Sequence, residues 1–253
     1  MIKKLKTGWK SWDKYLSTFI DRENNILELG SYKGDATEWF LNNLCTNKKS
    51  RVYAVDTWEG SPEYKNTNFK IIEKTFNNKM KKINKLSQLE KLKMTTENGL
   101  VKLLNENINF DLIFIDASHV AKDVLSDAIL SWKILKKNGV LIFDDYKWNK
   151  LEKNIDKPKI AIDSFLKIYE NEIELLYSGY QVIIKKVKLK SNVKLNNYYE
   201  LRYQIDKYKL PNISQTLDFN INYKLSLRLS RIVPKHEKYL GFDKNIEMYM
   251  NYY

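Results

Sequence analysis

Three groups of residues in this chain have the types and spacing to do chemistry. The first is Ile26-Leu27-Glu28-Leu29-Gly30-Ser31-Tyr32-Lys33-Gly34. An apolar run carries Glu28, Gly30 and Ser31 to the carboxyl end of a strand. Gly30 lets the backbone turn tightly, and Gly34 lets a ligand or helix approach closely. In α/β folds the polar end of a nucleotide-like ligand sits at such a turn. Asp56 ends the next apolar stretch, about twenty residues beyond Gly34, where an acid can accept both hydroxyls of a ribose. The second group is Asp116 with His119 behind it, and the third is Asp144-Asp145. Asp116 closes one continuous apolar run and Asp144-Asp145 another, the mark of buried parallel strands.

The identity of the ligand follows from its charge. A dinucleotide turn needs Gly-x-Gly-x-x-Gly, since the middle glycine admits a pyrophosphate. Here Tyr32 holds that place and Glu28 precedes the first glycine by two. An acid repels pyrophosphate and suits a sulfonium and an ammonium, so S-adenosylmethionine is favoured over NAD. If the runs ending in Asp116 and in Asp144-Asp145 are neighbouring parallel strands, three carboxylates converge on the cofactor side and call for a cation. All-oxygen ligation points to Mg²⁺. Such an ion would bind a hydroxyl pair, lower the hydroxyl pKa and orient the oxygen. The plainer alternative is that Asp116 touches substrate while Asp144 and Asp145 cap a loop. His119 is a candidate general base, or a structural hydrogen-bond partner of the aspartates.

The elements that must position these residues are legible in the periodicity. Large apolar groups at Trp9, Trp12, Leu16, Phe19 and Ile20 predict an amphipathic helix over 9–20, which covers its own sheet or packs across a dimer. Asp35 reads as the N-cap of a helix running to about Leu44. Strands are expected at 51–56, 89–94, 110–116 and 140–143, and helices at 69–83, 97–106, 121–137 and 158–172. Asn138-Gly139 is expected to close the 121–137 helix with a left-handed residue. A hairpin at 173–187 turns on Ser178-Gly179-Tyr180. Alternating strands and helices argue a doubly wound α/β domain with a mostly parallel sheet, closed by an antiparallel hairpin. The division expected is an N-terminal helix at 1–24, a catalytic domain at 25–189 and a basic, tyrosine-rich extension at 190–253.

Together, residues 26–34, Asp56-Thr57-Trp58, residues 110–119 and residues 140–146 resemble a class I S-adenosylmethionine-dependent methyltransferase with a Rossmann-like sheet. The run Ile115-Asp116-Ala117-Ser118-His119, a helix with Asp127 and Trp132, and Asn138-Gly139-Val140-Leu141-Ile142-Phe143-Asp144-Asp145-Tyr146 resemble one branch more closely. That branch holds macrocin-type sugar O-methyltransferases and cephalosporin methoxylation proteins, within a wider group that includes catechol O-methyltransferases. The resemblance spans roughly residues 25–187. It implies that Glu28, Gly30, Ser31 and Gly34 line the methionine end of the cofactor, and that Asp56 holds the ribose. Trp58 would pack nearby, and Thr95, Thr96 and Glu97 would lie near adenine. Asp116, Asp144 and Asp145 match the family's metal carboxylates. The pattern departs from the catechol type, in which a lysine closely follows the metal aspartate. Here His119 follows, and Lys122 is a remote substitute. Asp127 and Trp132 read as packing and capping residues, Tyr146 and Trp148 as pocket walls or core, and His236 as a surface or packing residue.

The balance of the chain restricts its function. Among 253 residues, 44 are Lys or Arg and 31 Asp or Glu, for a net charge of +13. The excess is uneven: +3 over residues 1–24, +2 over 25–184 and +8 over 185–253. One cysteine, Cys45, excludes an intramolecular disulfide framework, and two histidines argue against a His-rich zinc site. No apolar run approaches the roughly 18 residues of a membrane helix, and no apolar leader follows the basic start. A soluble, cytoplasmic enzyme is expected, methylating a hydroxyl of a sugar or other small molecule, anionic if the basic tail helps to hold it. Two other classes compete. One is a nucleic-acid methyltransferase with the tail as an electrostatic groove; the other is a silent binding module on the same fold.

Overall fold

The computed structural model describes residues 11–60, 68–149 and 153–188. The extension expected at 190–253, with His236, lies outside the described residues. Seven strands form one sheet: β1 (Asn25–Leu29), β2 (Arg51–Asp56), β3 (Leu89–Lys93), β4 (Phe110–Ile115), β5 (Leu135–Phe143), β6 (Ile173–Ser178) and β7 (Val182–Lys186). Their order is β3-β2-β1-β4-β5-β7-β6. The first five pair in parallel, and β7 runs antiparallel to both β5 and β6. The chain winds outward from β1 to β2 and β3, then returns to β4 on the other side. The β1–β4 boundary is therefore the switch point, where the carboxyl ends of an open α/β sheet leave a crevice.

Helices α2 (Asp35–Asn43), α3 (Phe69–Lys81), α4 (Thr96–Asn105), α5 (Ala121–Ile134) and α6 (Pro158–Ile168) flank the sheet. Each inner strand buries side chains toward both faces, and β4 is buried along its whole length. One apolar cluster joins α4, α5 and α6 to Leu27, Ile113 and Leu141. A second joins α2 and α3 to Ile26, Leu112 and Ile142. Two packed faces explain why the strands read as continuous apolar runs rather than alternating ones.

Several local expectations are corrected. The segment read as one helix over 9–20 has, in its described part, a single turn, α1 (Trp12–Tyr15), followed by a 3₁₀ turn at Ser17–Phe19. Its Trp12, Leu16 and Phe19 are buried in the second cluster, so it covers its own sheet. Asp35 is not the N-cap of α2. Gly34 holds that place at φ 78°, while Asp35 is the first helical residue and pairs with Lys79 of α3. Helix α5 stops at Ile134, short of Lys137, because Leu135 turns extended and pairs with Phe110. Lys136 then reaches Asp111 at 2.7 Å. The expected left-handed Asn138 is present, at φ 63°, but inside an irregular start of β5 rather than at a helix end. Helix α6 ends at Ile168, not at 172.

Candidate active site

The loop after β1 is built from the main chain outward. Gly30 has φ 87°, and a Cβ there would collide with the main chain of Asp116 at the end of β4. Glycine at 30 therefore lets the loops after β1 and β4 touch at the switch point. A side chain would strike the protein before it filled a ligand site. Gly34 has a similar duty: a Cβ would lie 2.8 Å from Met80 and Phe76 of α3. Asp56 organises the turn. Its Oδ2 accepts from the backbone N–H of Ser31 at 2.9 Å and of Tyr32 at 2.8 Å, and its Oδ1 accepts from Trp58 N–H at 2.7 Å. The residue expected to hold a ribose thus first fixes the loop, and Oδ1 keeps a lone pair for a further donor.

Glu28 is buried beneath this turn. Its Oε2 accepts from Ser31 Oγ at 2.9 Å and from the Thr37 hydroxyl, while Oε1 has no partner. Burial pushes its carboxyl up to about 7, with Asp56 adding and the two hydroxyls opposing. A buried acceptor without a donor at the switch point suits a ligand carrying ammonium and sulfonium groups. Trp58 is buried against Phe76 and donates from its indole to Tyr32 O at 2.9 Å, so its ring belongs to the core. Thr95 caps α4, and the Thr96 side chain lies beside buried Asp127, whose carboxyl it lowers. Glu97 is exposed.

The acids after β4 and β5 do converge. Asp116, Asp144 and Asp145 each offer an oxygen within 4.8 Å of the others. Burial, then the neighbouring Asp144, Asp145 and Glu28, push Asp116 well above the usual carboxylate range. Burial and then Asp145 also raise Asp144, to about 6. A cation among the three carboxylates would relieve this repulsion. The donor set is all oxygen, so the residues fit Mg²⁺ or a similar hard ion.

Around the acids stands a ring of donors. His119 Nε2 lies 2.8 Å from Asp145 Oδ2, and its ring stacks on Trp148 at 4.4 Å. Tyr180 donates to Asp145 Oδ1 at 2.8 Å, and Gln181 Nε2 donates to Asp144 Oδ1 at 3.1 Å. Tyr180 and Gln181 were not foreseen from the sequence. Their signal is faint: two polar side chains in the turn of a hairpin that pairs with the strand ending in the acids. Tyr146 bonds Asp163 at 2.8 Å, and Lys122 is exposed on the first turn of α5. Three non-glycine residues with left-handed backbone, Tyr32, Trp58 and Asp145, follow β1, β2 and β5. Such strain gathers at functional edges, where surrounding structure holds it.

Residues 27–146 match the family model described as a methyltransferase domain. No curated protein matches the chain. Solved structures share its fold. An O-methyltransferase from Bacillus cereus in complex with SAH is 19% identical, with a TM-score of 0.55, over 73% of this chain and 83% of that one. MycE, a methyltransferase of the mycinamycin biosynthetic pathway bound to Mg, SAH and mycinamycin VI, is 11% identical, with a TM-score of 0.51, over 72% of this chain and 50% of its own. An rRNA methylase from Streptococcus thermophilus is 13% identical, with a TM-score of 0.51, over 74% of this chain and all of its own. Strand order, switch-point turn and family model agree: residues 27–146 form a methyltransferase domain of the class I, S-adenosylmethionine-dependent type.

Proposed function

We propose that the chain is a cytoplasmic O-methyltransferase, assisted by a divalent cation, that methylates a hydroxyl of a sugar or similar small molecule. The observation that carries this reading is the convergence of Asp116, Asp144 and Asp145 beside the switch point. Asp116, Asp144 and Asp145 would hold Mg²⁺, which supplies charge neutralisation and lowers the pKa of an acceptor hydroxyl. Glu28 and the loop from Gly30 to Gly34 seat the methionine end of the methyl donor, and Asp56 has room for one ribose hydroxyl. The transfer breaks a sulfur–methyl bond and forms an oxygen–methyl bond, so the hydroxyl proton must leave. The His119–Asp145 pair is the proton-accepting group beside the acids, with Trp148 fixing the imidazole plane. Tyr180, 47% exposed, and Trp148 offer aromatic faces to a sugar ring.

The nucleic-acid alternative has the basic excess as its support. That excess lies at 185–253, almost wholly outside the described residues, whereas the acids of the site would repel a phosphate backbone unless a cation intervenes. The test is methyl transfer from labelled S-adenosylmethionine to sugars, nucleotide sugars, catechols and capped RNA, with and without Mg²⁺. The proposal expects turnover on hydroxylated small molecules that depends on Mg²⁺. Turnover confined to RNA would overturn it.

A further inference from the structure

We infer that Gln181, locked in one amide orientation by the buried indole of Trp12, is the positioning residue that fixes Asp144 at the active site. The inference rests on the proposed role of Asp144, and it concerns what holds that side chain in place. Trp12 and Gln181 are separated by 169 residues, yet Trp12 Nε1 donates to Gln181 Oε1 at 2.9 Å in the interior. An indole N–H only donates. Gln181 must therefore turn its oxygen to Trp12, which leaves its NH₂ facing Asp144 Oδ1 at 3.1 Å. The reverse orientation would set a carbonyl oxygen against a carboxylate and a donor against a donor.

Neither end of this relay has freedom to reorient. Trp12 is fully buried, with its ring 5.1 Å from Phe40 in a stack, 5.1 Å from Phe114 and 5.0 Å from Trp39. Gln181 is 2% exposed and sits just before β7, which pairs with β5 from Phe143↔Val182 onward. The residue before it, Tyr180, bonds Asp145, and Tyr146 N–H donates to Tyr180 O at 2.9 Å. The turn of the β6–β7 hairpin thus holds both adjacent aspartates, and the segment before β1 sets the polarity of one hold.

The experiment compares Gln181→Met, Trp12→Phe and the double variant with the wild type. Gln181→Met should raise the Mg²⁺ concentration for half-maximal activity about tenfold, the usual cost of losing a partner behind a metal ligand. Trp12→Phe should raise it about threefold through the freed amide, and the double variant should match Gln181→Met alone, since the two act in series. S-adenosylmethionine affinity should stay within about twofold throughout. Additive effects of Trp12→Phe and Gln181→Met, or an unchanged Mg²⁺ requirement in both, would overturn the inference. A second readout needs neither metal nor turnover. In metal-free protein labelled with ¹⁵N-tryptophan, Asp144→Asn should shift the Trp12 indole resonance, and should not shift it when Gln181 is already Met. No shift in the wild-type background would overturn the relay. If the shift occurs while chelator leaves wild-type activity intact, the metal reading falls and the relay stands.

Discussion

Gly30 and Glu28 show what single residues decide here. With φ at 87° and the Asp116 main chain against its Cα, Gly30 is required by the fold before any ligand binds. Gly30→Ala should cost roughly 3 kcal/mol or more, a fall of about 6–12 °C in the Tm of ligand-free protein. A variant that melts normally but fails to bind S-adenosylmethionine would show instead that position 30 acts only on the ligand. Glu28 makes a different prediction. Burial holds its carboxyl near 7, so at pH 6 it is largely protonated. A cationic ligand favours the ionised form, and binding must then release a proton. Affinity for S-adenosylmethionine should rise with pH below 7, by at most about tenfold per pH unit, and level off above it. Calorimetry in two buffers of different ionisation enthalpy measures the proton released. Glu28→Gln should release less and show a flatter profile; an identical profile would remove Glu28 from the site.

At the scale of elements, α5 carries the clearest test. Asp127 is buried on its inner side, with Oδ2 lacking a partner and Thr96 of α4 close enough to lower its carboxyl. Burial, helped by Asp123 and Glu97, pushes it up to about 7, against the Thr96 bond. The folded-state pKa lies above the unfolded value, so folding favours the protonated form. The contribution is present at pH 4 and is lost as pH rises toward 7. Asp127→Asn should match the wild type near pH 4 and melt several degrees higher at pH 8, as scanning calorimetry would show. A wild type that keeps its margin at pH 8 would contradict this. Elements were legible where one interaction dominates. The runs at Phe110–Ile115 and Val140 to Phe143 are buried on both faces, and no other element can bury them so fully. Ends were less legible. The halt of α5 at Ile134 depends on Leu135 meeting Phe110 and Lys136 meeting Asp111, and neither contact leaves a local pattern.

For the molecule as a whole, the topology explains why residues far apart in sequence come together. The β1–β4 switch point brings Glu28 and Gly30 beside Asp116, β2 adds Asp56 on the other side of β1, and the parallel β4–β5 pair adds Asp144 and Asp145. This much of the site was readable, because strand ends carry their acids to one edge of a parallel sheet. The duties of Asp56 and Thr96 within the protein were not, since a side chain's partner depends on packing. Nor was the hold of Tyr180 and Gln181 on the acids, which needs the hairpin to fold back on β5. The net charge of +13 gives no guide to a site made of carboxylates. Among the described residues no helix is long and apolar enough to cross a membrane. The central claim is that these three carboxylates hold a divalent ion used in methyl transfer to a hydroxyl. Its most direct test is initial-rate methyl transfer to the best acceptor, in excess chelator and then with Mg²⁺ restored. The account predicts loss of activity in chelator, recovery with Mg²⁺, and no recovery in Asp116→Asn or Asp145→Asn, which still bind S-adenosylmethionine. Full activity in chelator would contradict it.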